Sequence, residues 1–328
     1  MRKEKLPLFR NAQRIETRAD LKAPVDKLWK IHDSTGDAER SEPPETSLLD
    51  LKIEIARRIF HDCHFCERRC HADRSVTPGF CGVAYSNYSS EFLHYGEERE
   101  LIPSHTIFFT GCTFSCVFCQ NWEISRTPLE GVKALPETLA LRVHERSKQG
   151  SRNVNWVGGD PTPHIYTILK TIRTFCDLAD KEEAEAEAEA EADSLNVPMV
   201  FNSNAYYSSE SAKLLNGVID VYLSDFKYGS DTCAKRYSKV DNYVDVVTRN
   251  LLSSLDKLLI RHLVMPGHVE CCTQPIVEWV QENMPGVKFN LMFQYTPYNV
   301  VHYPEINRYL RADEIHMAQE IARDLNLV

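Results

Sequence analysis

Six short apolar runs separated by longer amphipathic stretches occupy the chain from about residue 105 onward: TIFF (106–109), NVNWV (153–157), VPMVFN (197–202), VIDVYLS (218–224), KLLIRHLV (257–264) and VKFNLMF (287–293). Between them lie helical patterns such as PETLALRVHERSKQG and NYVDVVTRNLLSSLDK. Strands that alternate with helices lie parallel, because a parallel neighbour is reached only through a long crossover. Six units are too few for a complete eight-fold barrel, so the pattern predicts an α/β fold, an open or partial (β/α)6 barrel. Such a sheet directs ligands to the carboxyl ends of its strands and the loops that follow.

Every conspicuous motif falls in one of those loops. GCTFSCVFC follows the first run, GGDPTPH the second, NSNAY the third, SDFKYG the fourth, MPGH the fifth and QYTPY the sixth. Six loop motifs on one rim point to a single site.

The loop GCTFSCVFCQN, residues 111–121, sets Cys112, Cys116 and Cys119 in a C-x3-C-x2-C array. Thiolates suit zinc and iron-sulfur clusters, and a closed structural site of either kind takes four ligands. Three cysteines within eight residues cannot share one face of a strand or helix. They can wrap a loop around a compact [4Fe-4S] cluster and leave its fourth iron open to a small ligand. A zinc site completed by a distant residue is the alternative.

This array, with Phe118 directly before the last cysteine and a strand before the first, resembles the radical S-adenosylmethionine superfamily. FFTGCTFSCVFCQNWEIS, GGDPTPH, YLSDFKYG and RHLVMPGH together resemble uncharacterised relatives of pyruvate formate-lyase activating enzyme, over about residues 60–310. The resemblance implies that S-adenosylmethionine chelates the open iron. One electron then cleaves its sulfonium bond, and a 5'-deoxyadenosyl radical abstracts a hydrogen. It sets Phe118 against the adenine and Gly158, Gly159 and Asp160 at the methionine ammonium, with Asp where the family usually carries Glu. Asp225 and Lys227 match the Asp-x-Lys of glycyl-radical activating enzymes, and Arg261 matches their strand-five arginine. Ser203, between Asn202 and Asn204, is a further candidate cofactor contact. Gln294 and Tyr295 stand in the loop where activating enzymes carry a late histidine, which leaves the substrate open. The implied partners are an electron donor such as flavodoxin or ferredoxin and, as one substrate class, a glycyl-radical enzyme. Radical modification of a peptide or small molecule is a second reading. A non-catalytic iron-sulfur or zinc protein for electron transfer or scaffolding is a third.

An earlier group, CHFCERRCHADRSVTPGFC, sets Cys63, Cys66, Cys70 and Cys81 in C-x2-C-x3-C-x10-C. Four thiols make a closed site, so a structural zinc or an auxiliary iron-sulfur cluster is expected, with His61, His64 and His71 as neighbouring alternatives. Cys176, Cys233, Cys271 and Cys272 are scattered and read as small buried hydrophobes or incidental thiols.

Before the cysteines, SLLDLKIEIARRIF (47–60) carries Leu48, Leu51, Ile55 and Ile59 at helical spacing behind the capping residue Ser47. Residues 1–60 read as a helical leader, loosely packed in its first part, 61–104 as the four-cysteine segment and 105–328 as the barrel. Eleven cysteines without an export signal favour metal or redox chemistry in a reducing, cytoplasmic setting over disulfides. The net charge of −9 argues against a nucleic-acid binder, and no apolar run is long enough for a membrane span. Most of that charge is local. The low-complexity stretch DKEEAEAEAEAEAD (180–193) sets eight acids against one lysine and reads as a solvated insertion.

Overall fold

The computed structural model describes residues 6–185 and 196–328, so residues 186–193 of the acidic insertion lie outside the described residues. Three helices come first: α1 (Leu8–Arg14), α2 (Val25–Ser34) and α3 (Leu48–His61). Ser47 caps α3 reciprocally, its hydroxyl accepting from the Asp50 N–H while the Asp50 carboxylate accepts from the Ser47 N–H. The leader is firmly packed from its first helix. Phe9 meets Phe175 at 6.1 Å, and the buried Arg10 donates to Asp180 at 2.7 Å.

The strands are β1 (Asn87–His94), β2 (Ser104–Phe109), β3 (Val132–Lys133), β4 (Asn153–Gly158), β5 (Met199–Ser203), β6 (Val221–Asp225), β7 (Leu258–Leu263), β8 (Lys288–Met292) and β9 (Asn326–Leu327). They form one open sheet in the order β3-β1-β2-β4-β5-β6-β7-β8-β9. From β2 to β9 every pairing is parallel, whereas β1 runs antiparallel to both β2 and β3. All six expected strands are present. The sheet begins earlier than residue 105, because β1, NYSSEFLH, adds itself to the edge of β2. Its mixed, half-exposed residues carry no parallel-core signature, as expected of an antiparallel strand near the sheet's edge with one face in solvent.

The connecting helices are α4 (Trp122–Arg126), α5 (Pro136–Lys148), α6 (Ile165–Glu185), α7 (Ser209–Leu215), α8 (Asp231–Ser238), α9 (Tyr243–Leu252), α10 (Gln274–Asn283) and α11 (Ala312–Ile321). Strand residues alternate between two sides. Met199, Phe201, Tyr222, Leu258 and Ile260 join the large core that also holds the helices, including Phe9, Leu28 and Ile55 of the leader. Val200, Leu223 and Leu259 instead meet Leu101 in a small inner cluster. Leu101 lies on the loop between β1 and β2, which therefore packs inside the curve of the sheet at the amino ends of the parallel strands. The opposite end is left for the motif loops. Among the described residues no helix is long and apolar enough to cross a membrane.

Two histidines are buried in the neutral form. His262 donates through Nδ1 to the Phe226 carbonyl at 2.7 Å, and its Nε2 lies 2.9 Å from Thr273 Oγ1. His164 stacks on Phe109 with ring centroids 4.4 Å apart. Burial pushes His262 down to about 4 and His164 down to about 3. A depressed histidine adds stability above the unfolded pKa, near 6.5, and loses it as pH falls toward the folded value. Acidification from about pH 6.5 to about pH 4.5 is therefore expected to cost roughly 2 kcal/mol through His262. Urea unfolding at both pH values should give a smaller drop for His262→Gln than for the unmodified chain.

Candidate active site

The three-cysteine loop leaves β2 and is held in place from several sides. Gly111 N–H donates to the Ile124 carbonyl at 2.8 Å, closing the loop onto α4. Ser115 N–H donates to the Ser238 carbonyl at 3.0 Å and Val117 N–H to the Tyr237 carbonyl at 2.8 Å, docking it on the end of α8. From β4, Gly159 N–H reaches the Phe109 carbonyl at 2.9 Å and Asp160 N–H the Gly111 carbonyl at 3.1 Å. A Cβ on Gly159 would lie 2.0 Å from the Gly111 oxygen, so only glycine allows this approach.

Each sulfur has polar company. Cys112 Sγ accepts from the Phe114 N–H at 3.3 Å and faces the Asn204 amide at 3.9 Å. Cys116 Sγ lies 2.9 Å from Ser238 Oγ, and Cys119 Sγ lies 3.4 Å from Ser125 Oγ. Burial pushes the Cys112 and Cys116 thiols up, so ionising them calls for a nearby cation. Lys227 is one. Burial acts to lower its pKa, but Asp225 at 2.6 Å and the neighbouring Cys116 and Cys119 hold it above the ordinary lysine value.

All three thiols open into one cavity of about 970 Å³, which Phe118, Gly158, Gly159, Ser203, Asp225, Lys227 and Arg261 also line. Three soft donors, a charge-balancing lysine and a volume near the top of the ~300–1,000 Å³ range of small-molecule sites fit a cluster with a nucleoside ligand beside it. Phe118 is nearly buried and tilts against Tyr295 at 5.8 Å.

Two expected ligand contacts are placed differently. Asp160 does not line the cavity: its carboxylate accepts from Thr113 Oγ1 at 2.5 Å and Thr162 Oγ1 at 3.2 Å, and burial pushes its pKa up to about 6. It buttresses the cysteine loop from behind. Arg261 faces the cavity but is engaged by two acids, with Nη2 2.5 Å from Glu97 and Nε 2.8 Å from Glu98. Asn155 and Asn290 donate to the same carboxylates at 3.0 Å and 2.9 Å. Burial would raise Glu98, but Arg261 and Asn290 hold it below its ordinary value.

Glu97, Glu98, Asn290, Ser125 and Ser238 carried no sequence signal of a site. GEERE (96–100) reads as a solvated charge run, and only the inward packing of the β1–β2 loop brings two of its acids under the strands.

The four-cysteine group is brought together beside this site. Cys63, Cys66, Cys70 and Cys81 line one small cavity of about 10 Å³ with Phe65, Arg68, Phe80, Thr113 and Pro163. The Cys70 thiol donates to the Cys63 carbonyl at 3.7 Å, and Arg68 Nε donates to the Thr113 carbonyl at 2.6 Å. Four thiols around one cavity can hold a further metal. The flanking histidines are engaged elsewhere, His71 with Asp62 at 2.8 Å and His61 with Asp73 at 3.1 Å.

An open parallel sheet with a three-thiol loop at the carboxyl end of its first parallel strand defines a class, and residues 106–280 match the Radical SAM superfamily. The chain belongs to that superfamily and is an enzyme that uses S-adenosylmethionine and a [4Fe-4S] cluster. It is 45% identical over 322 residues to Uncharacterized protein MJ0674 of Methanocaldococcus jannaschii, covering 92% of this chain and 89% of that one. Similar solved structures include SuiB of Streptococcus suis bound to S-adenosylmethionine, at 14% identity and a TM-score of 0.42 over 66% of this chain and 47% of SuiB. TYW1 with a lysine-pyruvate adduct matches at 14% identity and a TM-score of 0.42, over 67% of this chain and 74% of TYW1. The chain thus spans less than half the length of SuiB.

Removing one partner of a buried ion pair strands the other charge. Arg261→Leu leaves Glu97 and Glu98 without their guanidinium and is expected to cost about 3–5 kcal/mol in urea unfolding. A loss confined to S-adenosylmethionine affinity, with stability unchanged, would make Arg261 a ligand residue instead.

Proposed function

We propose that the protein reductively cleaves S-adenosylmethionine at a [4Fe-4S] cluster held by Cys112, Cys116 and Cys119, and abstracts a hydrogen from a protein substrate at the open rim. The observation that carries this reading is the shared cavity, into which those three thiols, Lys227 and the backbone of Gly158 and Gly159 all open. When bound, the cluster supplies the electron for cleaving the sulfonium bond. The chain supplies the surroundings. Asn204, Ser238 and Ser125 offer hydrogen bonds to the three sulfurs, a contact that tunes cluster potential. Lys227 offsets the negative charge of the thiolates while Asp225 orients its ammonium. Phe118, Gly158, Gly159 and Ser203 offer an apolar ring, exposed backbone and a hydroxyl to the nucleoside and the methionine. Asp160 holds the loop rather than the ligand.

A glycyl-radical enzyme is the substrate that Asp225-x-Lys227 favours, with flavodoxin or ferredoxin as electron donor. Modification of a peptide or small molecule is the second reading. It is favoured by Gln294, which lines the cavity in the loop where activating enzymes carry a histidine. Cys63, Cys66, Cys70 and Cys81 would hold a zinc ion that braces Thr113 and the start of the reactive loop.

Anaerobic reconstitution with iron and sulfide, followed by dithionite and S-adenosylmethionine, should yield 5'-deoxyadenosine. Cys119→Ala should reduce that yield by at least a hundredfold while the Cys63 group keeps its metal. No product from a fully reconstituted sample would overturn the assignment. With a glycyl-radical enzyme added, a glycyl doublet in the EPR spectrum separates activation from the second reading.

A further inference from the structure

Four side chains outside the cavity converge where the loops after β6 and β7 meet. Cys233 lies in the first turn of α8, while His268, Cys271 and Cys272 lie on the segment after β7. The ligand atoms of Cys233, His268 and Cys271 all lie within 4.8 Å of one another. The buried Cys272 thiol neighbours Cys233 and Cys271 but stands outside that trio. The sequence alone made these thiols incidental, because Cys233 and Cys271 stand 38 positions apart in a chain with no ligand spacing between them.

The local structure holds the donors together. A single π-helical turn, Val269–Thr273, carries both neighbouring cysteines, and such turns recur at functional sites. On the facing loop a Cβ at Gly229 would lie 2.8 Å from the Cys271 oxygen and 2.9 Å from the Cys272 Cα. Glycine there lets the two loops touch. His268 Nδ1 lies 2.8 Å from the Pro266 carbonyl, which only accepts, so Nδ1 carries the ring proton and Nε2 keeps its lone pair. A carbonyl that fixes the imidazole tautomer in this way is the usual outer partner of a metal-bound histidine.

We propose that Cys233, His268 and Cys271 form a Cys2His site for one zinc ion with water in the fourth position, which clamps the loop after β6 to the loop after β7. With Zn–S near 2.3 Å and Zn–N near 2.0 Å, tetrahedral donors lie roughly 3.5–3.8 Å apart, so closing the site takes movements of about 1 Å. Donors this close surround one ion and leave no room for a four-iron cluster. Soft thiolates with an imidazole select zinc over magnesium or calcium. Binding displaces one proton from each of the two thiols, and the histidine enters neutral. Cys271 is exposed and gives the ion a way in, while Cys233 and Cys272 are buried.

The site also has a consequence for the reactive loop. α8 bears Cys233 near its start and Ser238 at its end, where the Ser238 side chain meets Cys116 and its carbonyl receives the Ser115 N–H. An ion at Cys233 anchors the helix against which the three-cysteine loop rests. The site stands independently of the radical chemistry, and its test reads metal rather than activity.

Zinc bound per full-length chain should fall by one equivalent in the double variant Cys233→Ser, Cys271→Ser, with the Cys63 group intact. His268→Cys, which keeps three soft donors, should retain that equivalent. Equal zinc in the unmodified chain and the double variant overturns the proposal. If the double variant is insoluble, zinc-edge X-ray absorption of the unmodified chain decides. Imidazole scattering beside sulfur supports the site, since the Cys63 group supplies only sulfur, and an all-sulfur shell overturns it.

Discussion

Three cysteine sulfurs within eight residues face one cavity only because the loop that carries them is bonded to α4, α8 and the end of β4. A free loop of that length would have many conformations, and ordering each residue costs on the order of 1–2 kcal/mol. The cost is offset by main-chain bonds to α4, α8 and the end of β4, and by Asp160 bridging Thr113 to Thr162. Gly159 is the tightest of these constraints, since the end of β4 lies against the Gly111 carbonyl with no space for a side chain.

Charge is arranged around the loop in two layers. Lys227, paired with Asp225, lies beside Cys116 and Cys119, where negative charge must be accommodated. Deeper in the sheet, Glu97 and Glu98 surround Arg261, and Asn155 and Asn290 take up further carboxylate lone pairs. Buried carboxylates are tolerated when paired and hydrogen-bonded in this way. The inner pairing ties the β1–β2 loop to β4, β7 and β8, so it closes the base of the cavity while the rim stays open.

Six of the parallel strands were legible because each is a mainly apolar run that ends in a loop with its own distinctive residues, whereas the two-residue β9 is too short to leave a pattern. β1, next to the two-residue edge strand β3, was not, because NYSSEFLH mixes polar and apolar residues without a clear period. The cysteine loops were legible through their spacing. GGD names a loop but does not say which way its carboxylate turns, and in the structure Thr113 and Thr162 take that of Asp160. Glu97 and Glu98 were invisible for a similar reason: a charge run reads as solvated until a fold encloses it.

By itself the amino-acid sequence determined the parallel α/β architecture, the three-thiol loop and the class of cofactor chemistry, because period and ligand spacing are local properties of the chain. The tertiary structure decided which side chains face the cavity, which acids engage Arg261, and that Cys233 meets His268 and Cys271. Those contacts join residues far apart in the chain, and a contact between distant residues follows from how strands and helices pack.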